Sequence, residues 1–413
     1  MRRQGKHAGA FAVLALLAAA ARGGEPAPGE FKVPGTESTI KLYGYVQLDT
    51  TVDFAGRPAG YENSDWATFL GVVPADDSAA GKRAKPQTYF TARTSRFGLQ
   101  TRTPTGLGEL GVRLEGDFNA PDGFLSETYS NSVGFRLRHA YASLGGLVVG
   151  QTWSTFLDLN AAPETVDFNG PGTLALVRNP LVRYTVKAGD AVNVALAVEN
   201  NRGPQYNVES RLQTIPDLHA NVSWAPAWGS LSARAVLQVY NRARLAGGDY
   251  ADLPIKTKTG LGLAVSGSTK IGQDTLVAQV AGGPGIGRYL FNSATIGDSG
   301  PGVSFDQASG KITLWSVWGA HAGYTHVWSP VLRSNLVGAY TWVLDAKVGG
   351  VKSTNTTQKD FLQGFVNTFY GLTKNAEIGA EFAFGQWRSF ENGTPQLKGT
   401  QQRVNASFHY AFY

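Results

Sequence analysis

From Ile40 to its last residue the chain repeats one pattern, with apolar residues at every second position and polar or small residues between them. Leu110, Val112 and Leu114 alternate with Arg113, Glu115 and Asp117, and Val192, Val194, Leu196 and Val198 with Asn193, Ala195 and Glu199. Further on, Leu231, Ala233, Ala235, Leu237 and Val239 alternate with Ser232, Arg234 and Gln238. A period of two puts each set on its own face of a β-strand. No segment of useful length follows the 3.6-residue period of a helix. The chain also ends in this way: Val404, Ala406, Phe408, Tyr410 and Phe412 lie on one face, and Arg403, Asn405, Ser407, His409 and Ala411 on the other. Chain ends fray unless they are tied into a sheet. A one-sided aromatic strand at the very end therefore asks for a partner on each edge, which a closed barrel supplies.

The connections sharpen this. Short ones read TPTG (103–106), GG (145–146), AGD (188–190), PAWG (226–229), KIGQD (270–274), SPV (329–331) and TKN (373–375). Between them fall long ones near 55–87, 119–132, 154–179, 200–216, 241–256, 283–310, 345–358 and 388–400. Eight long loops and seven short turns join sixteen strands. The pattern predicts an all-β protein, a 16-stranded antiparallel transmembrane β-barrel with short periplasmic turns and long extracellular loops. A tilted strand of about 9–11 residues spans that membrane, and most of the segments are of that length. A soluble sandwich or propeller would bury its apolar faces against a second sheet and gives no reason for such alternation. In hydrocarbon every backbone group must be paired within the protein, so the last strand must close on the first. Phe408, Tyr410 and Phe412 then face lipid, the last two near the lower aromatic girdle, and with Tyr413 they form the expected assembly signal.

Composition changes the picture at the N-terminus. Arg2, Arg3 and Lys6, a run of apolar or small residues from Ala10 to Ala21, and an Ala-x-Ala pattern at Ala19 and Ala21 make residues 1–21 a predicted signal peptide. Residues 22–39, rich in proline and glycine, form a predicted flexible lead-in, and 40–413 the barrel. Losing the leader's three cations takes the formal charge from +6 down to +3, which leaves little case for nucleic acid as a partner. There is no cysteine, so neither disulfides nor thiolate metal sites are available.

Strand parity then selects the lumen. With Phe97 and Leu99 outward, Arg96 faces in; Arg113 lies opposite Leu114; Phe135 and Leu137 leave Arg136 and Arg138 inward; Val182 and Tyr184 leave Arg183 inward. Arginines on four strands predict a positively charged wall, which lowers the barrier for anions and raises it for cations. A wet lumen could also simply solvate such charges. The third long loop holds Asp158, Glu164 and Asp167, one or two of which could instead bond the loop's own backbone, Asp167 first.

The block KLYGYVQLDTTVDF (41–54), TSRFGLQTRTPTGLGEL (94–110), FRLRHAYASLGGLVVGQTWSTFLDL (135–159), PETVDFNGPG (163–172) and RNPLVRYT (178–185) is similar to the DcaP-like family of trimeric porins. The resemblance is dense over the first half of the chain. It implies a homotrimer in outer-membrane lipid, placed there by the barrel-assembly machinery, passing small anionic or polar solutes such as dicarboxylates by passive diffusion, with no cofactor. It also implies that the third loop folds inward and narrows the pore, so that Asp158, Glu164 and Asp167 would face the arginine wall across a transverse field. Two departures stand out. Phe412, not the terminal Tyr413, is in phase with the apolar face, and residues 22–39 are too short and proline-rich for the helical segment some members carry before the barrel.

Two other classes compete. An outer-membrane lipase-type enzyme needs a serine, a base and an acid on neighbouring strands; GDSG at 297–300 imitates a serine-protease nucleophile but sits in a turn-rich loop. His321 and His326 are five apart in a strand, hence on opposite faces, and cannot share a metal. A secreted sugar-binding β protein would stay soluble without detergent.

Overall fold

The computed structural model describes residues 29–55, 76–83, 86–120, 134–200, 215–241, 257–290, 302–305, 312–344, 347–348, 351–352, 358–391 and 396–412. The expected leader, the GDSG segment and Tyr413 lie outside the described residues. Sixteen strands run antiparallel around a closed barrel. In the first half they are β1 (Thr39–Ala55), β2 (Arg96–Thr105), β3 (Gly108–Ala120), β4 (Gly134–Leu144), β5 (Leu147–Trp153), β6 (Arg178–Lys187), β7 (Val192–Glu199) and β8 (Asp217–Trp224). The second half comprises β9 (Gly229–Asn241), β10 (Thr257–Ile271), β11 (Asp274–Pro284), β12 (Ser316–Ser329), β13 (Leu332–Val343), β14 (Gln358–Gly371), β15 (Ala376–Ser389) and β16 (Lys398–Phe412). Tight turns and long loops alternate between them as the sequence pattern requires.

Each strand pairs with its neighbours in the chain, and β16 closes on β1 in a register that sets Gly44 opposite Phe412, Leu48 opposite Phe408 and Val52 opposite Val404. On the lumen side of this seam the Arg403 guanidinium donates to both oxygens of Asp53 at 2.6 and 2.9 Å. The lead-in is not wholly irregular. Glu30–Lys32 forms a short strand on Thr39–Lys41, reversed by a Pro34–Gly35 turn in which Gly35 has a φ of 76°, a conformation open to glycine.

Leu42, Val46 and Leu48 of β1, Phe97 of β2, Leu114 of β3, Leu196 of β7, Leu263 of β10 and Phe382 of β15 point away from the lumen and are exposed. At the loop end of the barrel Trp318, Trp342 and Tyr340 stack in a row, and at the turn end Trp224 packs edge-on against Trp228. These are the two aromatic girdles of a bilayer-spanning barrel. The packed core lies inside. Phe156, Leu157 and Leu174 of the third loop (154–177) meet Ile286, Tyr289 and Leu290 of the sixth, together with Val236, Trp315 and Phe390. One side of the lumen is thus filled.

Candidate functional site: the channel constriction

The third loop runs along the inner wall and back, held strand by strand. Thr155 N–H donates to Glu199 of β7, the Thr155 carbonyl accepts from Asn221 of β8, and the Phe156 carbonyl accepts from Arg234 of β9. Asp158 accepts from the Ser266 hydroxyl of β10 at 2.6 Å, and the Ala161 carbonyl meets His321 of β12 at 2.9 Å. Glu164 forms a bidentate pair with Arg333 of β13 at 2.6 and 2.7 Å. The N–H groups of Val166 and Asp167 both donate to Glu381 of β15 at 2.9 Å. On the return, Gly172 N–H reaches Gln363 of β14, and the Thr173 carbonyl accepts from Gln279 of β11. The loop is therefore hydrogen-bonded along the arc from β7 to β15 and leaves most of the wall from β2 to β6 open, its tip at residues 166–168 reaching β1 and β16 and facing Arg138 of β4.

That open arc carries the arginines. Glu115 of β3 accepts from Arg138 Nε at 2.7 Å, Arg113 Nη2 at 2.5 Å and the Tyr43 hydroxyl at 2.9 Å, and stands 3.4 Å from Arg96 Nε. Asp117 accepts from Arg136 at 2.9 and 2.7 Å and from Arg138 Nη1 at 2.9 Å. Four guanidinium groups share two carboxylates. The crowding is possible because Glu115 pairs with His139 while Gly116 pairs with Leu137: Arg138 is the extra residue of a β-bulge, which re-aims side chains. Arg136, Arg138 and His139 are thus all brought to the lumen. Gly98 is required where it is, since a Cβ there would stand 2.4 Å from the Tyr43 ring.

Two further arginines on β6 have no carboxylate partner among the described residues. Arg178 lies 3.7 Å over the Trp153 ring, a cation–π geometry, with its Nε buried and without a hydrogen bond. Arg183 makes one long contact, 3.5 Å to the Trp153 carbonyl. Arg138 faces Trp153 and the loop residue Phe168 at 5.8 and 6.0 Å.

The structure brings Arg96, Arg113, Arg136 and Arg138 together as expected from parity, with Arg183 farther round. The loop carboxylates take the alternative that the sequence also left open, bonding the loop's own backbone or the wall behind it. Asp158 caps the 3₁₀ turn Leu159–Ala161 through Asn160 N–H, Glu164 is held by Arg333, and Asp167 accepts from Asn169 N–H at 2.9 Å. Asp158, Glu164 and the Oδ1 of Asp167 are engaged by the loop or the wall behind it, because buried carboxylate oxygens take the nearest donors. Asp167 is fully enclosed, and burial pushes its carboxyl up to about 7, with Arg403 pulling it down and Glu381 and Asp49 adding to the rise. Arg178, Glu115 and Asp117 complete the wall. Parity had placed the two acids inward, but Arg178 starts its strand at the loop junction, where parity gives no face.

Barrel, girdles and a narrowed charged lumen define an outer-membrane channel of porin type, situated in the outer membrane of a Gram-negative bacterium. The model of the family described as DcaP outer membrane protein matches residues 30–412, and the chain belongs to that family. The crystal structure of the DcaP channel of Acinetobacter baumannii superposes with a TM-score of 0.75 at 26% identity, covering 92% of this chain and 99% of that one. Porin Omp2b of Brucella canis is 26% identical over 218 residues, 49% of this chain and 52% of that protein; the chain spans about half the length of the curated relatives it matches. An anion-selective porin of Comamonas acidovorans shares the fold, with a TM-score of 0.54 at 14% identity.

Proposed function

We propose that the channel passes small hydrophilic solutes by passive diffusion and favours organic anions, dicarboxylates among them. One observation carries this: on the wall that the third loop leaves open, four guanidinium groups share Glu115 and Asp117 while Arg178 has no carboxylate among the described residues. The wall keeps a positive excess where a solute would pass. Arg96, Arg113, Arg136, Arg138 and Arg183 act in it as first read from the sequence, with Arg178 added; Asp158, Glu164 and Asp167 act indirectly, by setting the loop that narrows the passage. Unit charges 4 Å apart interact by ~1 kcal/mol in bulk water and ~4 kcal/mol at an effective dielectric near 20, so one guanidinium suffices to bias an ion.

The reversal potential across a planar bilayer under a salt gradient tests it. Wild type is expected to prefer anions weakly, and Arg178→Gln, or Arg136→Gln with Arg138→Gln, to move the potential toward cations. Molar salt should blunt both shifts, as the Debye length falls to ~3 Å. Wild-type selectivity in all variants at low salt would refute the reading. The same reading makes the protein a homotrimer, which the trimeric form of Vibrio cholerae OmpT supports by likeness of fold, and a passage with no catalytic step. His321 points inward to Thr173 and Ala161 and His326 outward to Asp274, so the two cannot act together.

A further inference from the structure

Where residues 166–168 of the third loop meet β1 and β16, the packing leaves a cavity of about 20 Å³ whose lining includes Asp49, Thr51, Thr91, Asp167 and Asn405. That is room for one occupant the size of a water molecule. Its polar lining is made of oxygen atoms: the Asp167 carboxylate, the Asp49 carboxylate, which also accepts from Gln47 Nε2 at 2.7 Å and from the Thr94 hydroxyl at 2.6 Å, two hydroxyls, and an amide whose oxygen accepts from Thr51, because Asn405 Nδ2 is turned to Glu381. Asp167 Oδ2 is buried and accepts no hydrogen bond among the described residues. The nearest guanidinium nitrogen, Arg403 Nη1, is 3.9 Å away, and that group is already committed through Nε and Nη2 to Asp53. Glu381, beside it, accepts from Val166 N, Asp167 N, Asn367 and Asn405, and so offers Asp167 no donor.

A buried carboxylate oxygen without a donor is costly unless something positive sits against it. Oxygen-only ligand sets containing carboxylates suit hard divalent cations, and calcium above all tolerates irregular geometry. We propose that this cavity binds a single divalent cation of calcium type, with Asp49 and Asp167 as charged ligands and Thr51, Thr91 and Asn405 as neutral ones. Among the described residues no group of three or more acidic, histidine or cysteine side chains could hold a metal; here two carboxylates are completed by neutral oxygens. The ion would fasten the tip of the third loop to the β1–β16 seam, beyond the last of the loop's hydrogen bonds to β15.

The test is thermal unfolding of the full-length mature channel, refolded in detergent free of lipopolysaccharide, first with EDTA and then with calcium chloride titrated from micromolar to millimolar. Wild type is expected to show a saturable rise in unfolding temperature, lost in Asp167→Asn and in Asp49→Asn. The measure is the calcium-induced shift within each variant, so a general loss of stability does not obscure it. If one variant fails to refold, the other still decides. No saturable shift in wild type, as for a cavity holding only water, overturns the proposal. So does an equal shift in wild type and variant, as for cations bound elsewhere.

Discussion

Glu115 and Asp117 stand on the same wall as the guanidinium groups they hold, so they limit its charge while fixing its geometry. Replacing Glu115 with Gln removes one negative charge and leaves Arg96, Arg113 and Arg138 without their shared partner. The channel is expected to become more anion-selective while losing stability, up to ~3–5 kcal/mol for a fully buried network and less where lumen water reaches it. Reversal potential and unfolding temperature measured together check this; a shift toward cations would mean that Glu115 does not set the wall's charge. Much at this scale was legible in the sequence, because alternation assigns every strand residue a face. Parity placed Arg96, Arg113, Arg136, Arg138 and Arg183 inward without any structure. It missed His139, because the bulge at Arg138 reverses the alternation after it, and a bulge leaves no mark in hydrophobic pattern alone.

Among the elements, the third loop is the one whose behaviour the sequence gave least hold on. Its partners are distant: Glu164 and Arg333 are 169 residues apart, Val166 and Glu381 215. No periodicity reports contacts of that range, so the sequence left open whether its acids face the pore, as the resemblance implies, or bond the loop's own backbone, and it could not name the wall residues that hold them. Glu381 holds the loop by accepting from two of its N–H groups, those of Val166 and Asp167, and a hydrogen bond to a charged group contributes ~1.5–3 kcal/mol. Glu381→Ala is therefore expected to free residues 166–167 and raise both open-channel noise and mean conductance, with the barrel intact; unchanged single-channel recordings would show the loop held by its other bonds. The last strand was read correctly in face and pairing. Phe412 lies over Gly44, where a Cβ would come within 2.7 Å of its ring. Phe412→Ala is expected to lower outer-membrane yield more than Tyr413→Ala; equal losses would mean that position in the alternation is not what the assembly machinery recognises.

For the whole molecule, a sheet without edges unfolds as a unit. The mature protein is expected to migrate anomalously on detergent gels until boiled, and to require detergent to remain dispersed. Identical mobility before and after boiling would contradict a closed barrel. This level was the most legible, since the alternation of tight turns with long loops fixes strand number and orientation together, and neither depends on any one residue.

Closure of that sheet also orders its assembly in time. Asp53 and Arg403, which face each other across the seam, are 350 residues apart in the chain, whereas each hairpin joins strands across a few residues. Loop-closure entropy grows as the logarithm of length, so against a ten-residue hairpin the seam costs about 3 kcal/mol more before any contact repays it. Neighbouring strands should therefore zip first and the seam form last. Until it does, β1 and β16 are both open edges next to an apolar face, a template for the same strands of another chain. The hazard of aggregation is concentrated in the interval between export of the first strand and arrival of the last. A chain lacking residues 398–412 would never leave that interval.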